Sequence, residues 1–276
     1  MSPRDELRKA LEQLKPARRA EVTRALVVLL GHGNYGADLL LAAAELDDAQ
    51  IATALQIVPA LQRPVEEYIR PRSYVATAKF AAEFRARLLL HHATYETPLE
   101  PEQFEGVFSA ASRAARRRVE PSPRGTRFWD VKVRGKQVSL KTEGAKRMRE
   151  DFLHISKLSE AAWIQDVRTA KARYDHTMDL IDHLVGAVQE MFVLRIRRGP
   201  EPDYELVEIP VAHFRRIKLL SRKDFSSDAP RVGIKDDDGN AIMTFCLDRS
   251  DAKVTITSLA KSACIVHARW TLRSGS

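Results

Sequence analysis

The sequence predicts an α/β or α+β protein, and two observations support this fold class. Residues 1–93 carry apolar side chains at helical spacing, with a break at the glycine-rich segment 31–36. From residue 192 to residue 272, short apolar runs alternate with turn-forming residues, as they do in a β-sheet. We therefore expect a helical N-terminal region over residues 1–93 and a mixed central sheet flanked by helices over residues 94–276.

The N-terminal helices are predicted from their caps and periodicity. Asp5–Leu14 has an amphipathic pattern, and Pro16 suits the first turn of the helix that follows. Asp38 is a suitable N-cap for residues 39–46, and a further helix is predicted over residues 49–61. A scaffold, a dimerisation layer or a DNA-contacting surface are the roles expected for this region.

The elements after residue 73 are predicted from helical spacing and from the alternation of apolar and polar residues in strands. Helical spacing predicts helices over residues 73–92, 102–118 and 159–190. Alternating or β-branched runs bounded by turn residues predict the strands. The predicted strands are Phe192–Arg197, Tyr204–Ile209, Arg231–Lys235, Ala241–Leu247, Lys253–Ile256 and Ala263–Leu272.

Residues 130–141 predict a β-hairpin that brings a carboxylate and an ammonium group together. Gly135 follows Arg134 and permits the positive φ that a tight hairpin turn needs. With the turn there, Asp130 lies opposite Ser139, and Lys141 lies two residues further along the same face. Cross-strand neighbours are about 5 Å apart and diagonal ones about 7–8 Å. The opposite, packing face is predicted to carry Trp129, Val131, Val133, Val138 and Leu140.

Two interpretations of this hairpin are open from the residues alone. Asp130 and Lys141 could hold a divalent cation beside an ammonium group, which suits the cleavage of phosphodiester bonds. They could also form an exposed cross-strand ion pair that contributes only a few tenths of a kcal/mol. A carboxylate and a lysine alone would bind a metal weakly, so the first interpretation requires a further acid.

Charge and cysteine content narrow the class of protein. The 276 residues include 45 Lys and Arg against 37 Asp and Glu, giving a net charge of +8, which favours nucleic acid and, second, an anionic membrane surface as partner. Cys246 and Cys264 form neither a disulfide framework nor a zinc finger. No signal peptide or apolar run of membrane-spanning length is found, and we expect a protein of the bacterial cytoplasm with no membrane association.

The hairpin resembles the catalytic signature of the PD-(D/E)XK nucleases. The match covers Asp130, Ser139 and Lys141, separated as an acid, eight residues, and a small residue two positions before the lysine. The runs 139–146 and 154–160 look like those of type II restriction endonucleases within that superfamily. The resemblance implies a Mg²⁺-dependent, sequence-specific endonuclease that cuts both strands of duplex DNA, commonly as a homodimer, with these three residues and Glu105 in catalysis.

The chain departs from that pattern at two positions. Trp129 stands where the family often has proline, and Ser139 stands where it usually has an acid. Some restriction enzymes with serine at this position supply the missing carboxylate from a helix. The candidates here are Glu105, Glu143 and Glu150, of which Glu105 is favoured because it lies on the helix before the hairpin. The predicted metal ligands are therefore Asp130, Glu105 and Glu143.

DNA contacts are predicted from basic residues near the hairpin and from two later segments, residues 154–176 and 253–273. Arginine and lysine would bind phosphates, and arginine, lysine and glutamine can contact base edges. The predicted DNA-binding residues are Arg116, Arg117, Lys146, Arg147, Lys157, Gln165, Arg168, Lys261 and Arg269. Two alternatives remain open: a non-catalytic DNA-binding regulator, and a repair or junction nuclease of the same superfamily.

Overall fold

The computed structural model describes residues 61–145 and 148–274, together with the isolated positions 9, 12, 13 and 57. The helices predicted before residue 61, and Lys146 and Arg147, lie outside the described residues. In the part of the chain that is described, no helix is long and apolar enough to cross a membrane. The helices are α1 Ala78–Thr94, α2 Pro101–Ala114, α3 Trp163–Asp166, α4 Ala170–Ala187 and α5 Ala212–Arg215, with short 3₁₀ helices at Arg216–Leu219, Arg222–Phe225 and Lys261–Ala263.

The strands form two sheets. A seven-stranded sheet has the order β1-β11-β7-β6-β4-β3-β2, and its β4 and β6 are parallel while the other pairs are antiparallel. A four-stranded antiparallel sheet has the order β5-β10-β9-β8. The predicted mixed α/β architecture is confirmed. The strands are β1 Val65–Ile69, β2 Val119–Pro121, β3 Val131–Val133, β4 Lys136–Glu143, β5 Phe152–Glu160, β6 Glu190–Arg197, β7 Asp203–Ile209, β8 Arg231–Lys235, β9 Ala241–Asp248, β10 Lys253–Ala260 and β11 Ile265–Leu272.

Both faces of the large sheet are covered, so β6 is buried along almost its whole length. Phe192, Leu194 and Ile196 face the core under α1 and α2, whereas Met191 and Val193 face the core under α4 and the small sheet. On the face covered by α1 and α2, aromatic rings of the helices pack against aromatic rings of the sheet. The ring centroids of Phe84 and Trp270 are 4.4 Å apart, and those of Phe108 and Phe192 are 5.3 Å apart.

β1 and β5 are among the strands that the sequence does not predict. Residues 65–69 lie in the region predicted to be helical throughout, but they pair with β11 from Val65 opposite Leu272 to Ile69 opposite Ala268. Residues 152–160 form β5, although no strand was predicted there. Because β1 and α1 pack with the large sheet, residues 65–94 share the core of the region predicted to begin at residue 94. Tertiary pairing, which local spacing does not contain, determines both strands.

Candidate active site

The hairpin of β3 and β4 has the predicted register. Val133 pairs with Lys136, and Arg134 and Gly135 form the two-residue turn with φ angles of 53° and 81°. Both angles are positive, as a type I′ turn requires. The predicted packing face is confirmed for Val131, Val133, Val138 and Leu140, but Trp129 packs against the core on the other side of the sheet. Phe128, at φ 75°, interrupts the extended backbone just before Trp129.

Asp130 is held where β3 and β4 diverge. Its N–H donates to the Val138 carbonyl at 2.9 Å, and its own carbonyl accepts from the Ser122 N–H at 3.1 Å. Its carboxylate Oδ2 accepts a hydrogen bond from the Leu140 N–H at 2.6 Å. The carboxylate thus takes the place of a strand partner for Leu140, and this hydrogen bond fixes the side chain close to β4.

Lys141 reaches the same carboxylate. Its Nζ lies 4.0 Å from Asp130 Oδ2, and the two side chains are 23% and 33% exposed. This separation is at the outer limit of an ion pair, so water, a cation or a phosphate oxygen can approach both groups. The structure therefore brings together the two residues on which the nuclease interpretation depends.

Ser139 lies on the same strand face as Lys141 but is fully buried. Its neighbour on β6 is Met191. The Ser139 hydroxyl has no hydrogen-bond partner among the described residues. A buried hydroxyl without a partner is costly in a folded protein.

Glu105 approaches the hairpin from α2. The helix buries Phe104 and Phe108 against the sheet and leaves Glu105 half-buried beside them. Burial raises the pKa of Glu105, and the negative charges of Asp130 and then Glu102 raise it further. The negative charges of Asp130 and Glu105 therefore disfavour each other.

The other two candidate acids are engaged elsewhere. Glu143 is buried; its Oε2 accepts from Arg195 Nε at 2.8 Å, and its Oε1 accepts from the His154 N–H at 3.0 Å. Burial raises the pKa of Glu143, although Arg195 acts in the opposite direction. Glu150 forms ion pairs with Arg197 and Lys261. Both acids therefore act as counter-ions within the protein.

A centre of three acids is not assembled. Within residues 61–145 and 148–274, no three Asp, Glu, His or Cys side chains are placed to hold a metal ion together. Of the predicted metal ligands Asp130, Glu105 and Glu143, the last is already paired with Arg195 at 2.8 Å. Arg195, which binds Glu143, is 52 residues away in the sequence, so local spacing could not indicate this pairing.

Several predicted DNA-binding residues bind other parts of the protein. Arg117 donates to the carbonyls of Tyr74 and Val75 at 2.9 and 2.7 Å and holds these two segments together. Lys261 and Arg269 both bind Glu205, at 2.7 and 2.8 Å. These three side chains have structural partners that they would have to leave in order to contact DNA.

The remaining predicted DNA-binding residues in the described ranges are exposed. Arg116 has no side-chain partner among the described residues, Lys157 forms an exposed ion pair with Glu160 at 2.7 Å, and the Arg168 guanidinium binds the Gln165 carbonyl at 3.0 Å. The Gln165 amide donates to a loop carbonyl at 3.1 Å. All four side chains can be reached by a ligand without unfolding any element.

Arg195 is a buried charged residue of this region that the sequence analysis does not single out. It is 1% exposed and lies on β6 between Glu143 on β4 and Glu205 on β7. Its guanidinium binds both carboxylates, at 2.8 and 2.9 Å. The signal was the arginine inside the apolar run 191–196, since a charge in a buried strand requires buried partners.

Comparison with known proteins places the chain among DNA-cleaving enzymes, the type II site-specific deoxyribonucleases. The family model named SmaI, described as a type II site-specific deoxyribonuclease, matches residues 39–272. The chain belongs to this SmaI family. The type II restriction enzyme SmaI of Serratia marcescens is 27% identical over 205 residues, covering 68% of this chain and 77% of that enzyme. No solved structure matches.

This family membership bears on the alternatives that the sequence left open. Membership of an enzyme family of restriction endonucleases sets aside the non-catalytic regulator and favours restriction over repair. The matched residues extend across position 93, so the similarity also includes β1 and α1, which pack on the sheet with the hairpin.

Proposed function

We propose that this protein hydrolyses both strands of duplex DNA at a specific sequence, using Mg²⁺ and a site formed by Asp130, Glu105 and Lys141. The observation that carries the proposal is the 4.0 Å approach of Lys141 Nζ to Asp130 Oδ2 at the divergence of β3 and β4. The repulsion between Asp130 and Glu105 adds a reason for a cation there.

The oxygen atoms of this site suit Mg²⁺. This ion is commonly bound by one or two carboxylates together with waters and substrate phosphates, so two acids are sufficient. Asp130 and Glu105 would hold it, with waters completing its coordination. When bound, the ion would stabilise negative charge on the phosphoryl oxygens and lower the pKa of a coordinated water.

The protein groups supply position and charge. In hydrolysis, a water oxygen bonds to phosphorus as the bond from phosphorus to the leaving sugar oxygen breaks. The ammonium of Lys141 stabilises the charge that develops on the attacking water and the phosphate. The Leu140 N–H keeps the Asp130 carboxylate fixed, so that little reorganisation is needed when DNA binds.

DNA recognition is proposed to use the accessible polar side chains. Arg116 would contact a phosphate, and Lys157, Gln165 and Arg168 would lie nearest to base edges. A target that is a palindrome would require a two-fold homodimer, in which each subunit cuts one strand. Lys146 and Arg147 keep their predicted phosphate contacts, whereas Arg117, Lys261 and Arg269 are left out because the protein itself binds them.

Plasmid cleavage tests the proposal. Incubation with Mg²⁺ should give discrete fragments, and a chelator should prevent cleavage. Asp130→Asn and Lys141→Ala should each lower the cleavage rate by about 10²-fold or more while leaving DNA affinity nearly unchanged. Direct conversion of supercoiled to linear plasmid, without accumulation of nicked circles, is expected of a dimer that cuts both strands in one binding event.

The control is a second Asp–Lys pair in the same protein. Lys171 and Asp175 form an exposed ion pair of 2.5 Å on α4, and Lys171→Ala and Asp175→Asn should cleave at the wild-type rate. Cleavage retained by the Asp130 or Lys141 variant would reject the proposed site, and cleavage insensitive to the chelator would reject the metal.

A further inference from the structure

A cavity of about 280 Å³ lies at the end of β4, on the strand face that carries Lys141 and Glu143. Glu143, which belongs to its lining, is two residues beyond Lys141 on β4, which is about 7 Å along a strand. Glu143 and Leu153 are buried at its floor, and Ala145 and Arg149 are exposed at its rim. The volume is just below the roughly 300 Å³ at which small-molecule pockets begin, so it suits a group of one or two rings.

The walls of this cavity suit a flat heteroaromatic group. The guanidinium carbon of Arg149 lies 3.9 Å from the ring centroid of Phe152, and both the stacked guanidinium and the ring offer planar surfaces. His154, Thr257 and Ser258 add polar atoms to the lining. Burial, and then the charges of Lys253 and Arg231, lower the pKa of His154, so its ring is neutral at neutral pH; one ring nitrogen is hydrogen-bonded to the Ile256 backbone, which leaves the other for a ligand.

Irregular pairing of β5 with β10 forms one wall of the cavity. The register shifts between Val254 and Ile256 and again between Ile256 and Leu259. Ser258 takes a left-handed conformation with φ 49°, which is unusual for a serine. Bulges and strained residues beside an active site commonly direct side chains toward a ligand.

The opposite wall is held rigidly by Arg195. Its guanidinium donates to the carbonyls of Arg149, Glu150 and Phe152 at 2.6, 3.2 and 3.0 Å. Together with its bonds to Glu143 and Glu205, these contacts use all five of its N–H groups. The segment that carries the Arg149–Phe152 surface is therefore fixed before any ligand binds.

We propose that this cavity receives one nucleobase that is turned out of the duplex next to the cleaved phosphate. The inference rests on the proposed function, since the substrate must be duplex DNA bound at Asp130 and Lys141. A nucleobase is the flat, hydrogen-bonding group that such a substrate carries close to the reacting phosphate. The base stacks on the Arg149–Phe152 surface, and His154 contacts its polar edge, so the cavity contributes to sequence recognition.

Fluorescence of 2-aminopurine tests this proposal. Duplexes carry the probe at one position each, within and beside the cleavage sequence mapped from cut plasmid. They are bound to the Lys141→Ala protein, which leaves the DNA uncut. At one position near the cleaved bond the fluorescence should rise several-fold, because a base that leaves the stack is no longer quenched by its neighbours.

A variant that fills the cavity provides the decisive comparison. Ala145→Phe, combined with Lys141→Ala, should abolish the rise, and His154→Ala in the same background should weaken it. Ala229→Phe, at an exposed loop position outside the cavity, should leave the rise unchanged. Thermal unfolding verifies that each variant is folded.

The outcomes separate the two proposals. If the wild-type protein cuts plasmid but no probe position brightens, or if brightening persists with Ala145→Phe, the nucleobase site is rejected while the proposed function stands. If the wild-type protein does not cut DNA with Mg²⁺, the proposed function itself fails.

Discussion

Glu105 is held in a position that disfavours its charge. Burial and the neighbouring Asp130 raise its pKa, so the folded protein binds a proton at this carboxyl more readily than the unfolded chain does. The contribution of Glu105 to stability therefore decreases as the pH rises through the ordinary glutamate pKa towards the raised one, and it is unfavourable above both. At neutral pH a bound cation would offset this cost.

Glu105→Gln should separate function from stability. Near neutral pH and with a chelator present, the variant should unfold at the same temperature as the wild type or higher, because the repulsion with Asp130 is removed. This advantage should vanish at about pH 4, where an ordinary glutamate is half protonated. Plasmid cleavage should fall by about 10²-fold or more, since a neutral amide binds Mg²⁺ weakly.

Glu102→Gln is the matched control for this residue. Glu102 lies one turn earlier on α2 and is exposed. Its variant should cleave DNA at the wild-type rate and lose a few tenths of a kcal/mol, because an acid in the first turn favours the helix. Normal cleavage by Glu105→Gln would remove this residue from the metal site and leave Asp130 without its proposed partner.

Among the elements, β6 joins the site to the rest of the large sheet through Arg195. The register places Glu143, Arg195 and Glu205 side by side on three neighbouring strands. Burial alone would raise the pKa of Glu205, but Lys261 and Arg195 bring it below its usual range. The strand that carries Lys141 is therefore tied to β6 and β7 by charges that are removed from water.

Arg195→Met should lower the free energy of unfolding by about 3–5 kcal/mol, because it leaves buried carboxylates without their cation. Arg195→Lys should give an intermediate loss, since an ammonium cannot reproduce five directed hydrogen bonds. Arg197→Met, two residues along the same strand and partly exposed, should cost less than about 1 kcal/mol. Denaturant unfolding measures all three, and equal losses for Arg195→Met and Arg197→Met would contradict the role of Arg195.

The sequence predicts those elements whose stabilising contacts lie between residues that are close together in the chain. The hairpin follows from Gly135 and from alternation within twelve residues, so the approach of Asp130 and Lys141 could be inferred. β8 was predicted with its observed bounds, because turn residues flank it on both sides. By contrast, β1 is extended only because it pairs with β11, about 200 residues later.

The same distinction applies to the charged side chains of the site. Glu143 could not be assigned from spacing, because the strand that carries Arg195 is distant in the sequence. Arg117 was predicted to contact DNA from its place in a basic run, yet it binds two carbonyls of the segment before α1. The sequence alone does not distinguish a charged side chain that is paired inside the protein from one that is free to bind DNA.

For the whole molecule, the net charge of +8 matters most where arginines have no internal partner. Three segments meet near the tip of the hairpin: the Arg117 guanidinium binds the Tyr74 carbonyl, and the Arg134 N–H donates to the Arg118 carbonyl at 3.0 Å. We call the exposed side chains of these segments the hairpin-tip surface. It consists of Arg70, Arg72, Arg116, Arg134 and Lys136.

Arg72 and Arg116 have no ion-pair partner among the described residues, whereas Lys136 is paired with Glu190 at 2.6 Å. The tip is about 13 Å from Asp130 along β3, so a duplex cut at Asp130 can place further phosphates against these arginines. Each phosphate contact releases a bound counterion from the DNA, and affinity then falls as salt is added. The hairpin-tip surface is thus expected to hold the duplex in register with the cleavage site.

The salt dependence of binding tests this expectation. Replacing both Arg72 and Arg116 by Ser in the Lys141→Ala protein should reduce the slope of log affinity against log salt by about 2, roughly one unit for each lost contact. Lys218→Ser is the control, because Asp182 already pairs with that ammonium. The duplex is titrated at several salt concentrations for each protein. A slope unchanged in the double variant would mean that the duplex leaves the site in another direction, and that the excess charge of the chain acts elsewhere.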